Sequence, residues 1–238
     1  STLLNWLDKE VTKQKNLIRF DFAFSYPFYD KFSYFPGIKD SPVNVEKLWE
    51  LIDIINKNSE NLYGGEIWNN KDYNSFYNSP KKKGVFFSSR RRQTELIAKK
   101  KIHSPSSTFN CVGPGAVGTG TLAGFRILNK LKCKTKIWPI DDLYFSNHSV
   151  IVEIFPTLYF RISKIKPEKK IGYTLEKINK SLEHFNSKPL DNSQIISGPD
   201  QDDADSLISA AALRHFSSKK DTWRIPKTSK KEGWIFGV

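Results

Sequence analysis

Apolar and polar residues repeat with two different periods along this chain, and the switches between them mark out its elements. From Leu3 to Lys15, the residues Leu4, Leu7 and Val11 fall on one face at helical spacing, which predicts an amphipathic helix. The next stretch, Asn16 to Phe24, reads NLIRFDFAF and carries the shorter alternation of a strand. Val43 to Asn58 returns to helical spacing through Val45, Leu48, Leu51, Ile52 and Ile55. Further helices are expected over Leu122–Lys132 and over Lys169–Phe185, the latter with Ile171, Leu175, Ile178 and Leu182 inward. Strands are expected over Thr135–Ile140 and Ser149–Phe155, and the second, SVIVEIF, is apolar on both faces, as a central strand would be. Phe28–Gly37 reads as an aromatic loop, Asn61–Gly84 as a long polar loop, and Glu232–Val238 as a final strand or tail.

The stretch Gly198–Ser217, GPDQDDADSLISAAALRHFS, opens on a turn and gathers Asp200, Asp202, Asp203 and Asp205 before an apolar run from Leu207 to Leu213. Acids ahead of such a run suit a helix N-terminus, where free N–H groups and the helix dipole favour negative charge. Asp202 and Asp205 are three apart and share a face. The many small residues of the run imply close packing against something flat, such as a sheet.

Two further acids stand out because they interrupt strands. Asp21 lies between Phe20 and Phe22, near the C-terminal end of its strand, the edge at which open α/β sheets bind ligands. It is either an edge residue facing water or a paired, protonated or metal-bound carboxylate. Glu153 is the lone charge in the SVIVEIF strand, so it needs a partner: a divalent cation or a basic side chain.

Composition narrows the chemistry. The chain has 238 residues, 38% hydrophobic, and a net charge of +13, which fits a polyanion such as nucleic acid as partner. Lys81, Lys82 and Lys83 and then Arg90, Arg91 and Arg92 flank the apolar patch Val85–Phe87, a mixture suited to phosphate contacts and base stacking. Glu95 follows the arginines and is placed to pair with one of them. No apolar run approaches a membrane span and no signal-peptide pattern occurs, so no membrane partner is expected. Two cysteines without metal-type spacing make a cytoplasmic setting the default. The histidines are scattered and take no role.

Gly113–Gly118 matches the dinucleotide pattern G-x-G-x-x-G, which keeps open a nucleotide-binding enzyme using that loop. The stretch that should precede it as a strand, Thr108–Val112, is short and poorly apolar, and Pro114 removes an N–H where phosphate needs donors. The other reading is a flexible loop that caps a helix and faces the substrate.

Three isolated carboxylates remain, Asp21 and Glu153 on strands and Asp205 at a helix start, with Asp202 assisting or as an alternate ligand. Meeting at one point, they would hold Mg²⁺ or Mn²⁺ for phosphodiester hydrolysis. In the order RFDFAFSYP, RRRQTE, GPGAVGTGTLAGFRIL, VIVEIFP, DDADSLISAAALR and EGWIFGV, the chain resembles domain-of-unknown-function family 429, predicted nucleases of the ribonuclease H-like superfamily. The resemblance covers about Asp21 to the C-terminus. It implies an α/β fold, a ribonuclease H-like mixed sheet flanked by helices on both faces. It also implies one domain over residues 1–238, with strands lying before Ser1 and an inserted loop around 59–105. It maps metal-binding acids onto Asp21, Glu153, Asp202 and Asp205. Thr94 and Glu95, Gly118, Thr119 and Thr121 would border the site. The expected function is a Mg²⁺- or Mn²⁺-dependent nuclease. A non-catalytic nucleic-acid-binding protein of the same fold is the alternative beside the nucleotide-binding enzyme.

Overall fold

The computed structural model describes residues 2–101, 105–143, 148–167, 172–191 and 202–238. Asp200 and the expected helix start at Lys169 lie outside these. Among the described residues the chain is α/β, with eight helices and a three-stranded parallel sheet. The strands are β1 (Leu17–Phe20), β2 (Lys136–Ile137) and β3 (Val150–Glu153), in the order β1-β3-β2. Leu17 pairs with Val150 and Phe20 with Glu153, so Glu153 closes its strand at the carboxyl end of the sheet and Asp21, expected inside a strand, follows directly after β1 there. Every described pairing in the sheet is parallel, and the mixed sheet implied by the resemblance is not seen among these residues.

β3 is central, as its apolar run requires. Consecutive residues on it face opposite ways. Ile151 joins one core, with Leu7 of α1 (Thr2–Lys13), Leu48 and Ile52 of α2 (Val45–Ile55), and Leu122 and Phe125 of α4 (Gly118–Leu131). Val152 joins the other, with Tyr159 of α5 (Pro156–Ile162), Ile178 of α6 (Leu175–His184), and Ile208 and Ala212 of α7 (Asp202–Ser217). Helices thus cover both faces.

Local signals set the helix boundaries. Asn44 caps α2 by accepting from the Lys47 N–H at 2.9 Å, and Thr174 caps α6 in the same way. α5 follows directly on β3 and has Pro156 in its first turn, where a missing N–H does no harm. The small residues of α7 share a core with Val152 of the sheet. The helix packs chiefly on α5 and α6, because three helices share that face and the alanines let them approach.

Residues 59–105, expected as an inserted loop, carry regular elements and core side chains among the described residues. They hold two 3-10 turns, Gly65–Trp68 and Asn74–Phe76, and α3 (Gln93–Lys101). Ile67, Trp68, Tyr73, Phe76 and Tyr77 from this stretch are buried in the first core. Tyr26 and Tyr77 share a hydrogen bond there at 3.0 Å, inside a cluster of rings that includes Phe35 and Phe109. The C-terminal tail returns as an extra edge: Ile235 bridges Glu153, and the Phe236 N–H donates to the Glu153 carbonyl. Ahead of it lies α8 (Ser229–Glu232), a single turn. Both cysteines are free thiols, and no described helix is long and apolar enough to cross a membrane.

Candidate functional site

At the carboxyl end of the sheet a cleft of ≈290 Å³ opens between the loop after β1, the start of α5 and the start of α7. Asp21, Glu153, Asp205 and Glu95 line it, along with Gly115 and Val117 of the glycine loop. A second recess of ≈590 Å³ continues along β1 and also reaches Asp21, Asp202 and Asp205. The sheet's register and the first turn of α7 therefore bring together the acids that the sequence singled out.

Their chemical states differ. Glu153 is buried, and its carboxylate accepts three hydrogen bonds. Arg92 Nη1 donates to Oε2 at 2.7 Å and Nη2 to Oε1 at 2.5 Å, while the Phe24 N–H donates to Oε2 at 2.9 Å. The Arg92 Nε donates to Glu95 at 2.8 Å, so one guanidinium joins two carboxylates. Burial alone would weaken the charge on Arg92, but Glu153 and Glu95 outweigh it and hold the guanidinium firmly protonated. Burial raises the Glu95 carboxyl despite the opposing pull of Arg92. Of the two partners open to Glu153, the basic side chain is the one present. Three donors already meet this carboxylate, and of its two oxygens Oε1, with one bond, keeps the acceptor capacity that the expected role as metal ligand would use.

Asp21 and Asp205 are placed differently. Neither accepts a hydrogen bond or an ion pair among the described residues. Asp21 is exposed at the mouth of the cleft, and solvent there screens its charge and tempers the effect of its surroundings. Enough protein still lies around it to disfavour its charge. Burial first, then repulsion from Asp205, Glu153 and Asp202, pushes its carboxyl up to about 7. Asp205 is half-buried, and burial followed by repulsion from Asp202 raises it to about 6. Asp202 itself is exposed. No group of three or more acidic, histidine or cysteine side chains among the described residues is arranged to hold a metal ion.

Two of the arginines expected to meet nucleic acid are structural. Arg90 donates to Asp30 at 2.6 and 2.8 Å and to the carbonyls of Pro27, Ser33 and Tyr34. It is buried and fastens the aromatic loop after β1. Arg92 is buried in the ion-pair network just described. Both are corrected as nucleic-acid contacts, because each guanidinium is buried and turned to partners inside the protein. Arg91 is half-buried and donates to Ser89. Lys81, Lys82 and Lys83 remain exposed.

The bordering residues act mainly on the frame. The Thr94 hydroxyl accepts from the Ile235 N–H at 3.1 Å, Thr119 donates to the Cys111 carbonyl, and Thr121 donates back to Val117. Gly118 opens α4 so close to the preceding chain that a Cβ there would sit 2.6 Å from the Cys111 Sγ. The stretch Thr108–Val112 forms turns and one bridge instead of a strand, so the glycine loop lacks the strand–loop–helix setting of a dinucleotide site.

One contributor was missed. Glu232, buried, accepts from the N–H groups of Phe28, Tyr29 and Gln93 at 2.7–2.9 Å and joins the aromatic loop to α3. Gly233 follows with φ of +68°, and its missing side chain leaves the backbone near Arg92 and Glu153. An acid and a glycine heading an otherwise apolar tail were the signal. No family model, curated protein or solved structure matches this chain.

Proposed function

We propose that the cleft at Asp21 and Asp205 belongs to a divalent-cation-dependent phosphodiester hydrolase with a ribonuclease H-like fold, acting on nucleic acid. One observation carries this reading. Two carboxylates meet in an open cleft at the carboxyl end of a parallel sheet, with raised pKa values and no cationic partner among the described residues. Oxygen donors without cysteine or histidine suit Mg²⁺ or Mn²⁺. Mg²⁺ is commonly held by one or two carboxylates, with water and substrate phosphate completing its shell, so Asp21 and Asp205 fit the role. Bound there, the ion would polarise the phosphodiester and supply a nucleophilic water near neutral pH. Asp202, one turn before Asp205, adds negative charge that draws a cation in. A carboxyl near 7, as on Asp21, is also tuned to accept a proton at neutral pH. Glu153 and Arg92 serve the reading indirectly, by fixing the Phe24 backbone and with it the loop that carries Asp21.

The engagement of Glu153 with Arg92 favours a second reading, a nucleic-acid-binding protein without catalysis. Cleavage of labelled single- and double-stranded DNA and RNA, with Mg²⁺, Mn²⁺ or EDTA, separates the two. The hydrolase reading expects cation-dependent cleavage lost in Asp21→Asn and Asp205→Asn. Cleavage indifferent to both substitutions, or salt-sensitive binding in EDTA with no cleavage under any condition, overturns it.

A further inference from the structure

A short hairpin holds an exposed aromatic ring beside three lysines. Asn78 pairs antiparallel with Lys83, and the Ser79 N–H donates to the Lys82 carbonyl at 3.1 Å, so Pro80 and Lys81 form the tip. The returning arm stays on its partner. The Gly84 N–H donates to the Tyr77 carbonyl at 2.8 Å and the Phe86 N–H to the Ser75 carbonyl at 2.9 Å. The two arms lie so close that a Cβ on Gly84 would sit 2.1 Å from the Ser75 carbonyl oxygen, a position only glycine tolerates. On its other side Asn78 is tied by backbone hydrogen bonds to Phe109 and Cys111, at 3.0 and 2.8 Å. The hairpin is therefore fastened to the first core.

That frame presents apolar side chains to water. Val85 is 85% and Phe86 63% exposed. The Phe86 ring leans on the buried Phe76 ring, with centroids 5.6 Å apart, and leaves most of its surface open. Lys81, Lys82 and Lys83 are exposed beside it. Lys81 donates to Asn69 and Lys83 lies over the Phe87 ring at 5.5 Å, but none of the three meets a carboxylate among the described residues. No acid occurs between Asp72 and Glu95, so the local charge has one sign.

We propose that this hairpin binds single-stranded nucleic acid, with an unpaired base stacked on Phe86 and the neighbouring phosphates met by the lysines. The ring selects the single strand. In a duplex each base face is covered by the next base, so a surface aromatic finds a stacking partner only where bases are unpaired. Sequence preference should be slight, because every base has a π-face and lysine is a point charge without a fork for base edges. A second copy of this chain is opposed by like charge, since its lysines would face these. A lipid surface would take up only Val85 and Phe86, whereas interfacial binding scales with the apolar area buried. None of these residues lines the acidic cleft. Only the nucleic-acid partner is shared with the hydrolase reading, and binding measured in EDTA separates a failure here from a failure of cleavage there.

Fluorescence anisotropy in EDTA at low salt tests the proposal, with labelled oligothymidine, an abasic strand of equal length and a duplex. The abasic strand keeps the phosphates and lacks the bases. Phe86→Ala removes the ring and Phe86→Trp restores one, and thermal melts establish that both variants fold. The parent is expected to bind oligothymidine about tenfold more tightly than the abasic strand, a difference lost in Phe86→Ala and kept in Phe86→Trp. Duplex binding should be alike in all three proteins. Equal affinity of the parent for oligothymidine and the abasic strand overturns the proposal. So does a Phe86→Ala protein that keeps the parent's preference. Binding to phosphatidylserine vesicles that Phe86→Ala abolishes, with no preference for oligothymidine, overturns it by assigning the patch to a membrane surface.

Discussion

The Arg92 guanidinium grips both oxygens of the Glu153 carboxylate, at 2.7 and 2.5 Å, in a place that water does not reach. The same carboxylate accepts from the Phe24 N–H, so the contact joins the end of β3 to the loop after β1 and to the start of α3. Removing one partner of such a pair strands a buried charge. Glu153→Gln is expected to destabilise the fold by about 3 kcal/mol, read as a lower urea midpoint at unchanged slope. Arg92→Met, which leaves Glu95 and Glu153 facing each other, is expected to lose more. A Glu153→Gln protein that unfolds at the parent's midpoint would remove the structural role given to Glu153.

The acids in the cleft should respond to pH with the opposite sign to most carboxylates. Asp21 and Asp205 rise from an ordinary 3.8 to about 7 and about 6. The folded protein keeps these protons at pH values where the unfolded chain has released them. Their contribution to stability is therefore complete below about pH 4 and is lost as pH rises through 6 and then 7. Asp21→Asn cannot ionise. It is expected to melt near the parent at about pH 4 and above it at about pH 8, by on the order of 2 °C. Mg²⁺ or Mn²⁺ should close that gap by stabilising the parent more at the higher pH, because ligands must be deprotonated to bind. A difference between the two proteins that does not change with pH would mean that neither burial nor the neighbouring acids raise the Asp21 carboxyl.

The long periodic stretches were legible because pattern and packing agree there. α1 buries Leu7 and Val11, α2 buries Leu48 and Ile52, and β3 is central, as the spacing of those residues implied. α5 was not legible, since Pro156 reads equally as the stop of a strand and the first turn of a helix. Residues 59–105 looked like a loop because Trp68, Tyr73 and Tyr77 pack without any repeat. At the site, the need of Glu153 for a partner was readable from one strand. The partner's identity was not, because Arg92 arrives from 61 positions away. Three consecutive arginines carry no mark of which are consumed internally, and Arg90 is satisfied by carbonyls from the loop over Pro27–Tyr34.

Two glycines in one helix should answer substitution in opposite directions. A Cβ on Gly118 would lie 2.7 Å from the Asn110 carbonyl oxygen and 2.8 Å from that of Thr108, both backbone atoms with little room to give. Gly118→Ala is expected to destabilise by about 1–3 kcal/mol and to disturb the glycine loop beside the cleft. Gly120 lies two residues on in α4, is exposed, and has nothing within 4 Å of an added Cβ. Gly120→Ala is expected to stabilise by about 0.5–1 kcal/mol, through reduced freedom of the unfolded chain. Paired denaturant titrations check both, and equal effects would contradict the close approach at Gly118.

The basic residues divide into those that hold the fold and those free to meet a polyanion. Lys81, Lys82 and Lys83 are exposed and make no salt bridge among the described residues, whereas Arg90 is spent on Asp30 and three carbonyls. If nucleic acid binds through the lysines, Lys81→Glu, Lys82→Glu and Lys83→Glu combined should weaken binding of a DNA duplex at low salt. The combination should also flatten the dependence of log K on log salt by roughly 2–3, since each phosphate contact contributes about 0.9 to the slope. Melting temperature should scarcely move, because exposed charges contribute little to stability. Arg90→Gln should do the reverse, lowering stability by a few kcal/mol through carbonyls and a carboxylate left unsatisfied. A triple lysine variant that binds with the parent's affinity and salt slope would place the polyanion contact elsewhere on the surface.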